Sequence, residues 1–129
     1  MKLEYADVAK GAAIVALLAG AALSSPAMAQ SATGEALYKQ RCMMCHTHTP
    51  DGRNGVGPGL YGVSGRAAAS TPGFSYSPAL KASKLVWTPQ TLDQFLIAPS
   101  KMVPGTRMVI SVPDAKQRQE IVGYLASSK

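Results

Sequence analysis

Cys42-Met43-Met44-Cys45-His46 is the stretch on which the reading of this 129-residue chain turns. Two thiols three positions apart at the end of a helix can both reach one edge of a porphyrin. The imidazole that follows then approaches the iron from one face of the ring. Five residues thereby place a cofactor and one axial bond, and C-x-x-C-H is the attachment signature of a c-type haem for that reason. Three other chemistries fit less well. A structural zinc needs a second ligand pair at finger-like spacing, and His48 lies too near His46 to supply one. A thioredoxin-like pair follows a strand in a βαβ unit, and no such pattern is visible. A disulfide across two intervening residues would be strained and would leave His46 unexplained.

Upstream of the motif the chain reads as an export leader. Lys2 and Lys10 flank a charged start that also holds Glu4 and Asp7, an atypical feature. Gly11 to Leu23 is uncharged and apolar, Ser24-Ser25-Pro26 breaks it, and Ala27-Met28-Ala29 supplies a small-x-small cleavage pattern. The apolar run falls short of the ~20 residues that span a bilayer, which favours cleavage over an uncleaved anchor. Residues 1–29 are therefore expected to be a signal peptide, and residues 30–129 one domain exported to the periplasm. A domain this small buries a modest share of its surface and gains from a bound apolar group.

Downstream, helix signals frame a long irregular stretch. Ser31 and Thr33 are candidate N-caps for a helix over about Gly34 to Met43, with Glu35 in its first turn. Residues 47–75 are dense in Gly and Pro, a length of loop that needs something other than regular structure to order it. Ser77-Pro78 and Thr88-Pro89 each set a capping residue before a proline at the first helical position. The second begins a helix to about Ala98, ended by Pro99, with Leu92, Phe95 and Leu96 on one face. Pro113-Asp114 opens a terminal helix whose apolar side is Ile121, Val122, Tyr124 and Leu125. No alternating strand pattern appears. The expected fold is all-α, with three main helices, one or two short ones and long ordered loops.

A carrier haem needs a sixth ligand to keep oxygen and peroxide off the iron, and methionine is a common choice. Met1 and Met28 belong to the leader, and Met43 and Met44 sit beside the proximal ligand and cannot reach the other face. Met102 and Met108 remain. Met108 follows the stiff turn Pro104-Gly105-Thr106-Arg107 and is better placed to cross the distal face. Met102 lies nearer a helix, where methionine usually fills gaps. The net charge of +6 comes from cations scattered singly, without the stripe that nucleic acid requires.

The order of these motifs resembles class I cytochrome c, in the mitochondrial and bacterial c2 or c550 branch. The resemblance rests on the haem motif, Gly57-Pro58-Gly59-Leu60-Tyr61-Gly62, Pro72-Gly73-Phe74-Ser75-Tyr76, Trp87, Pro104-Gly105-Thr106-Arg107-Met108 and Arg118 to Leu125. It implies one haem c, joined by thioethers to Cys42 and Cys45, with His46 and Met108 on the iron. It further implies that the Pro58 carbonyl orients His46. Arg66, Tyr76 and Trp87 would serve the haem propionates, and Thr106 would steady the Met108 loop. Gly34 and Tyr38 would meet Ile121 and Tyr124 where the first and last helices cross. Phe95 stands where the family often has a tyrosine and Leu80 where it has an asparagine, so two polar partners are missing on the distal side.

The implied function is one-electron transport by a monomer, without catalysis, between redox proteins such as membrane cytochrome complexes, an oxidase or a periplasmic dehydrogenase. Docking would be weak and salt-sensitive, through a thinned rim of Arg41, Lys101 and Arg107. Two alternatives stand beside it: the electron-accepting subunit of a dedicated periplasmic dehydrogenase, and a haem enzyme or gas sensor with a labile sixth ligand. His48 reads as a solvated loop residue.

Overall fold

The computed structural model describes residues 26–129, with side chains from residue 32 onward. The leader expected over residues 1–29 thus lies almost wholly outside the described residues. Five helices follow in order: α1 (Pro26–Arg41), α2 (Pro78–Ala82), α3 (Pro89–Ile97), α4 (Pro99–Met102) and α5 (Ala115–Ser127). Among the described residues the only extended pairing is an isolated antiparallel bridge between Ala67 and Val86. The all-α expectation of three main helices and one or two short ones holds, with two short helices among the described residues.

Local chemistry explains most of the boundaries. Ser77 accepts the Leu80 amide at 3.2 Å and Pro78 opens α2. Thr88 and Thr91 form a reciprocal capping box before α3, each side chain serving the other's backbone N–H. The Asp114 carboxylate accepts the Gln117 amide at 2.8 Å and starts α5. Two boundaries differ from expectation. Ser31 and Thr33 do not cap α1 but lie inside it, because the alanine-rich segment from Pro26 continues the helix upstream. Pro99 ends α3 and at once begins α4, since a proline that cannot continue one helix is well suited to the first position of another.

The core is a single cluster built from α1, α3, α5 and the loops between them, with Tyr38, Trp87, Leu92, Phe95, Leu96, Ile121, Val122 and Leu125 buried in it. Its closest contact is where α1 meets α5. A Cβ on Gly34 would fall 2.2 Å from the Glu120 carbonyl oxygen and 2.8 Å from the Tyr124 Cβ. Beside that point Tyr38 is 2% exposed and Ile121 0%, and the Tyr38 and Tyr124 rings lie 5.5 Å apart. The expected crossing of the first and last helices is therefore present, and only glycine permits it.

Arg118 ties α5 to α3 from within. Its Nε donates to Asp93 Oδ1 at 2.9 Å, and Nη1 donates to the Val112 and Pro113 carbonyls at 3.0 and 2.7 Å. A buried guanidinium needs such partners, and these cover both a charge and two loop carbonyls.

The long stretch after His46 is held by backbone bonds to later segments. Gly65 donates to Trp87 (2.7 Å), Trp87 to Arg66 (2.9 Å) and Ala68 to Leu85 (2.8 Å). Asn54 joins two arms of it. Its Nδ2 donates to the Pro72 carbonyl and its Oδ1 accepts the Gly59 amide, both at 3.0 Å.

Gly34→Ala is expected to destabilise the protein by about 3 kcal/mol, the upper part of the usual range for forcing atoms into a packed interior. Denaturant unfolding of the purified protein measures this. A loss under about 1 kcal/mol would mean that the helices separate at little cost.

Candidate functional site

The last turn of α1 delivers the cysteines. Cys42 and Met43 both donate their amides to the Tyr38 carbonyl, at 2.8 and 3.1 Å. Cys45 and His46 donate to the Cys42 carbonyl at 3.0 and 2.9 Å, so the helix tightens into a turn across the motif. Both thiols are free and half-buried. Met43 and Met44 project outward, Met44 being 89% exposed. Burial pushes the Cys42 thiol up to about 11, against the pull of Arg41 and with a further push from Cys45. A thiol of that kind is protonated at neutral pH, unlike the low-pKa thiolates of redox-active pairs.

His46 is fixed from three directions. Its Nδ1–H donates to the Pro58 carbonyl at 2.8 Å, which leaves Nε2 free as a donor atom for a metal. The Tyr38 hydroxyl donates to the His46 carbonyl at 3.0 Å. Gly57 lies against the ring: a Cβ there would sit 2.4 Å from His46 Cε1 and 2.7 Å from Nδ1. Burial lowers the imidazole's affinity for protons, and the Pro58 contact only partly opposes it. The neutral form that results is the form that binds metals. The family resemblance implies Pro58; the need for Gly57 emerges only from the packing.

Arg66 and Trp87 are brought side by side by the bond from the Trp87 amide to the Arg66 carbonyl. Two guanidinium nitrogens of Arg66 are occupied by backbone: Nη1 donates to Tyr61 at 3.2 Å and Nη2 to Gly59 at 2.8 Å. Arg66 therefore braces the loop carrying Pro58. The Trp87 ring is buried edge-on to Phe95, centroids 5.0 Å apart. The Tyr76 hydroxyl accepts the Thr71 amide at 3.3 Å, which leaves its own proton to give.

Met108 follows a turn closed by the Thr106 amide on the Val103 carbonyl at 3.0 Å. Gly105 takes φ +92° there, a conformation that L side chains rarely adopt. Thr106 is half-buried, and Met108 packs half-buried against the core. Met102 packs there too, at the end of α4. Arg107 Nη1 donates to the Ser75 carbonyl at 2.7 Å, anchoring the methionine segment beside Tyr76.

His48 corrects an expectation. It is not a solvated loop residue: Nδ1 lies 3.0 Å from the Tyr124 hydroxyl and Nε2 2.8 Å from Ser128 Oγ. Ser128 Oγ already donates to the Leu125 carbonyl and accepts the Gly62 amide, so His48 donates from Nε2 and accepts at Nδ1. The ring also packs against Tyr38, Tyr61 and Tyr124. It joins the haem-motif loop to the end of α5.

These residues fit a covalently held haem. Two adjacent thiols are available on one turn, and one imidazole presents a free nitrogen whose ring only a glycine at 57 can accommodate. A methionine segment is anchored independently, and a tyrosine hydroxyl has a spare proton.

Comparison with known proteins agrees. Residues 29–125 match the family described as cytochrome C oxidase, cbb3-type, subunit III. A cytochrome c2 of Rhodopila globiformis is 44% identical over 97 residues, covering 74% of this chain and 91% of the relative. A cytochrome c2 of Rhodomicrobium vannielii is 41% identical over 120 residues, covering 89% and 95%. A cytochrome c of Gibberella zeae is 41% identical over 96 residues, covering 74% and 91%.

His48→Ala removes two side-chain hydrogen bonds and leaves the Tyr124 hydroxyl without its acceptor. The expected loss of stability is about 2 kcal/mol, at roughly 1 kcal/mol for each bond. A thermal melt unchanged from wild type would contradict the joining role.

Proposed function

The chain belongs to the class I cytochrome c family, and on that premise we propose that it is a periplasmic carrier whose iron is held by His46 and Met108. Family membership establishes a mono-haem electron-transfer protein with one covalently attached haem c, not an enzyme. The haem supplies a metal centre that exchanges one electron, and Cys42 and Cys45 are the residues that would hold it. The observation that carries the ligand assignment is the His46–Pro58 hydrogen bond, which orients the imidazole with its other nitrogen free.

The chain's own contribution is rigidity and exclusion of water. Pro58, Gly57 and Tyr38 fix His46 before any electron arrives. The Arg107–Ser75 bond and the turn at Gly105 fix the segment that carries Met108. A site whose donors need not move between two oxidation states reorganises little. Arg66, Tyr76 and Trp87 would serve the propionates, Tyr76 with its unspent proton. Buried carboxylates are costly without such donors. Thr106 would steady the methionine loop.

Export to the periplasm is supported by the leader pattern of residues 1–29, with cleavage after Ala29. No helix among the described residues is long and apolar enough to cross a membrane. The partners would be redox proteins of the membrane or periplasm, met through weak and transient docking. Arg41, Lys101 and Arg107 are all exposed and supply positive charge for it.

Met108→Ala is expected to abolish the weak far-red absorption of thioether-bound ferric haem and to lower the reduction potential, while Met102→Ala leaves both in place. Optical spectra and a redox titration of the two variants measure this. The opposite pattern would move the ligand to Met102, and an absent band in the wild-type protein would point to an open sixth site.

A further inference from the structure

Glu120 presents a problem that the carrier function does not use. It lies on α5 at the α1 crossing, only 9% exposed, and its Oε2 is enclosed without a hydrogen-bond partner. An enclosed polar oxygen without a donor costs free energy that a hydrogen bond would recover.

Its position suggests where a partner arises. Tyr38 packs on Tyr124, and one turn earlier on α1 Gly34 packs on the Glu120 carbonyl. The two helices therefore step through their contact in the same sense. One more turn back along α1 reaches Gln30 and Ser31. Side chains of a helix tilt toward its N-terminus, so the Glu120 carboxylate leans from the crossing toward that earlier turn.

In the full chain α1 already covers residues 26–29. The helical pattern therefore engages the amides of residues 30–33 with the carbonyls of residues 26–29. They have nothing to offer Glu120. A cut between Ala29 and Gln30 removes those four carbonyls. It leaves a twelve-residue helix, 30–41, whose first-turn N–H groups lack acceptors and carry the positive end of the helix dipole. A carboxylate without donors and a helix end without acceptors would then lie side by side.

We infer that Glu120 caps the N-terminus of α1 that removal of the leader creates, so that processing completes the α1–α5 interface. This rests on the reading that the leader is cut after Ala29. The precursor leaves Oε2 unmatched, and the processed chain satisfies it.

The test uses two haem-loaded proteins exported on a foreign signal. One is cut to begin at Gln30 and the other to begin at Pro26, and each is made with and without Glu120→Gln. In the chain from Gln30 the substitution is expected to raise the unfolding equilibrium constant about fivefold and to speed amide exchange at residues 31–33 similarly. In the chain from Pro26 it should have no effect or should stabilise. An equal effect in both chains, or none in either, would overturn the capping role. The mass of the chain made from its own leader tests the cleavage separately: a start other than Gln30 refutes the processing site while the engineered pair still reports on Glu120.

Discussion

The hydrogen bond from His46 Nδ1 to the Pro58 carbonyl is the constraint around which the rest of the chain is arranged. It joins the end of α1 to a loop with no regular structure, and it leaves the other ring nitrogen free. Each neighbouring feature serves that bond. Gly57 makes room for the ring, Arg66 holds the carbonyls of Gly59 and Tyr61 just beyond Pro58, and Asn54 receives the Gly59 amide. Arg66 is in turn tied by backbone to Trp87, and Trp87 packs on Phe95 of α3. A chain of contacts thus runs from the His46 imidazole to the helical core.

The helices supply the frame that makes this possible. The close approach of α1 and α5 at Gly34 sets the direction in which α1 ends, and hence where Cys42 to His46 emerge. His48 reinforces the same junction from the other side by reaching Tyr124 and Ser128. Arg118 then links α5 to α3. Two helix contacts and two polar side chains therefore carry the geometry of a five-residue motif.

Much of this was readable from the residues because the interactions are local. The caps at Ser77, Thr88 and Asp114 act within three or four positions, and the haem motif is complete in five. What was not readable depends on distant parts of the chain. His48 gives no sign in its own neighbourhood that it meets residues 76 and 80 positions away. Pro99 reads as a stop because the helix it begins is only four residues long. Ser31 and Thr33 have capping chemistry, yet the residues before them are helix formers as well, so α1 already runs through them. Met108 could be narrowed by elimination, but the roles of Arg66, Tyr76, Trp87 and Thr106 came from family likeness. A propionate donor has no motif of its own.

Asn54 has a wider bearing than its two hydrogen bonds suggest. The arms it joins, around Gly59 and Pro72, carry no helix, and the first is also held by Arg66 on the Gly59 and Tyr61 carbonyls. The Gly59 arm stays tied to the core through Pro58 on His46 and Gly65 on Trp87, so opening at Asn54 frees the Pro72 arm first. The fastening is a neutral amide, which has no proton to gain or lose. The looseness of that arm is consequently set by temperature and solvent and not by acidity at Asn54, so a change of pH leaves this fastening as it was.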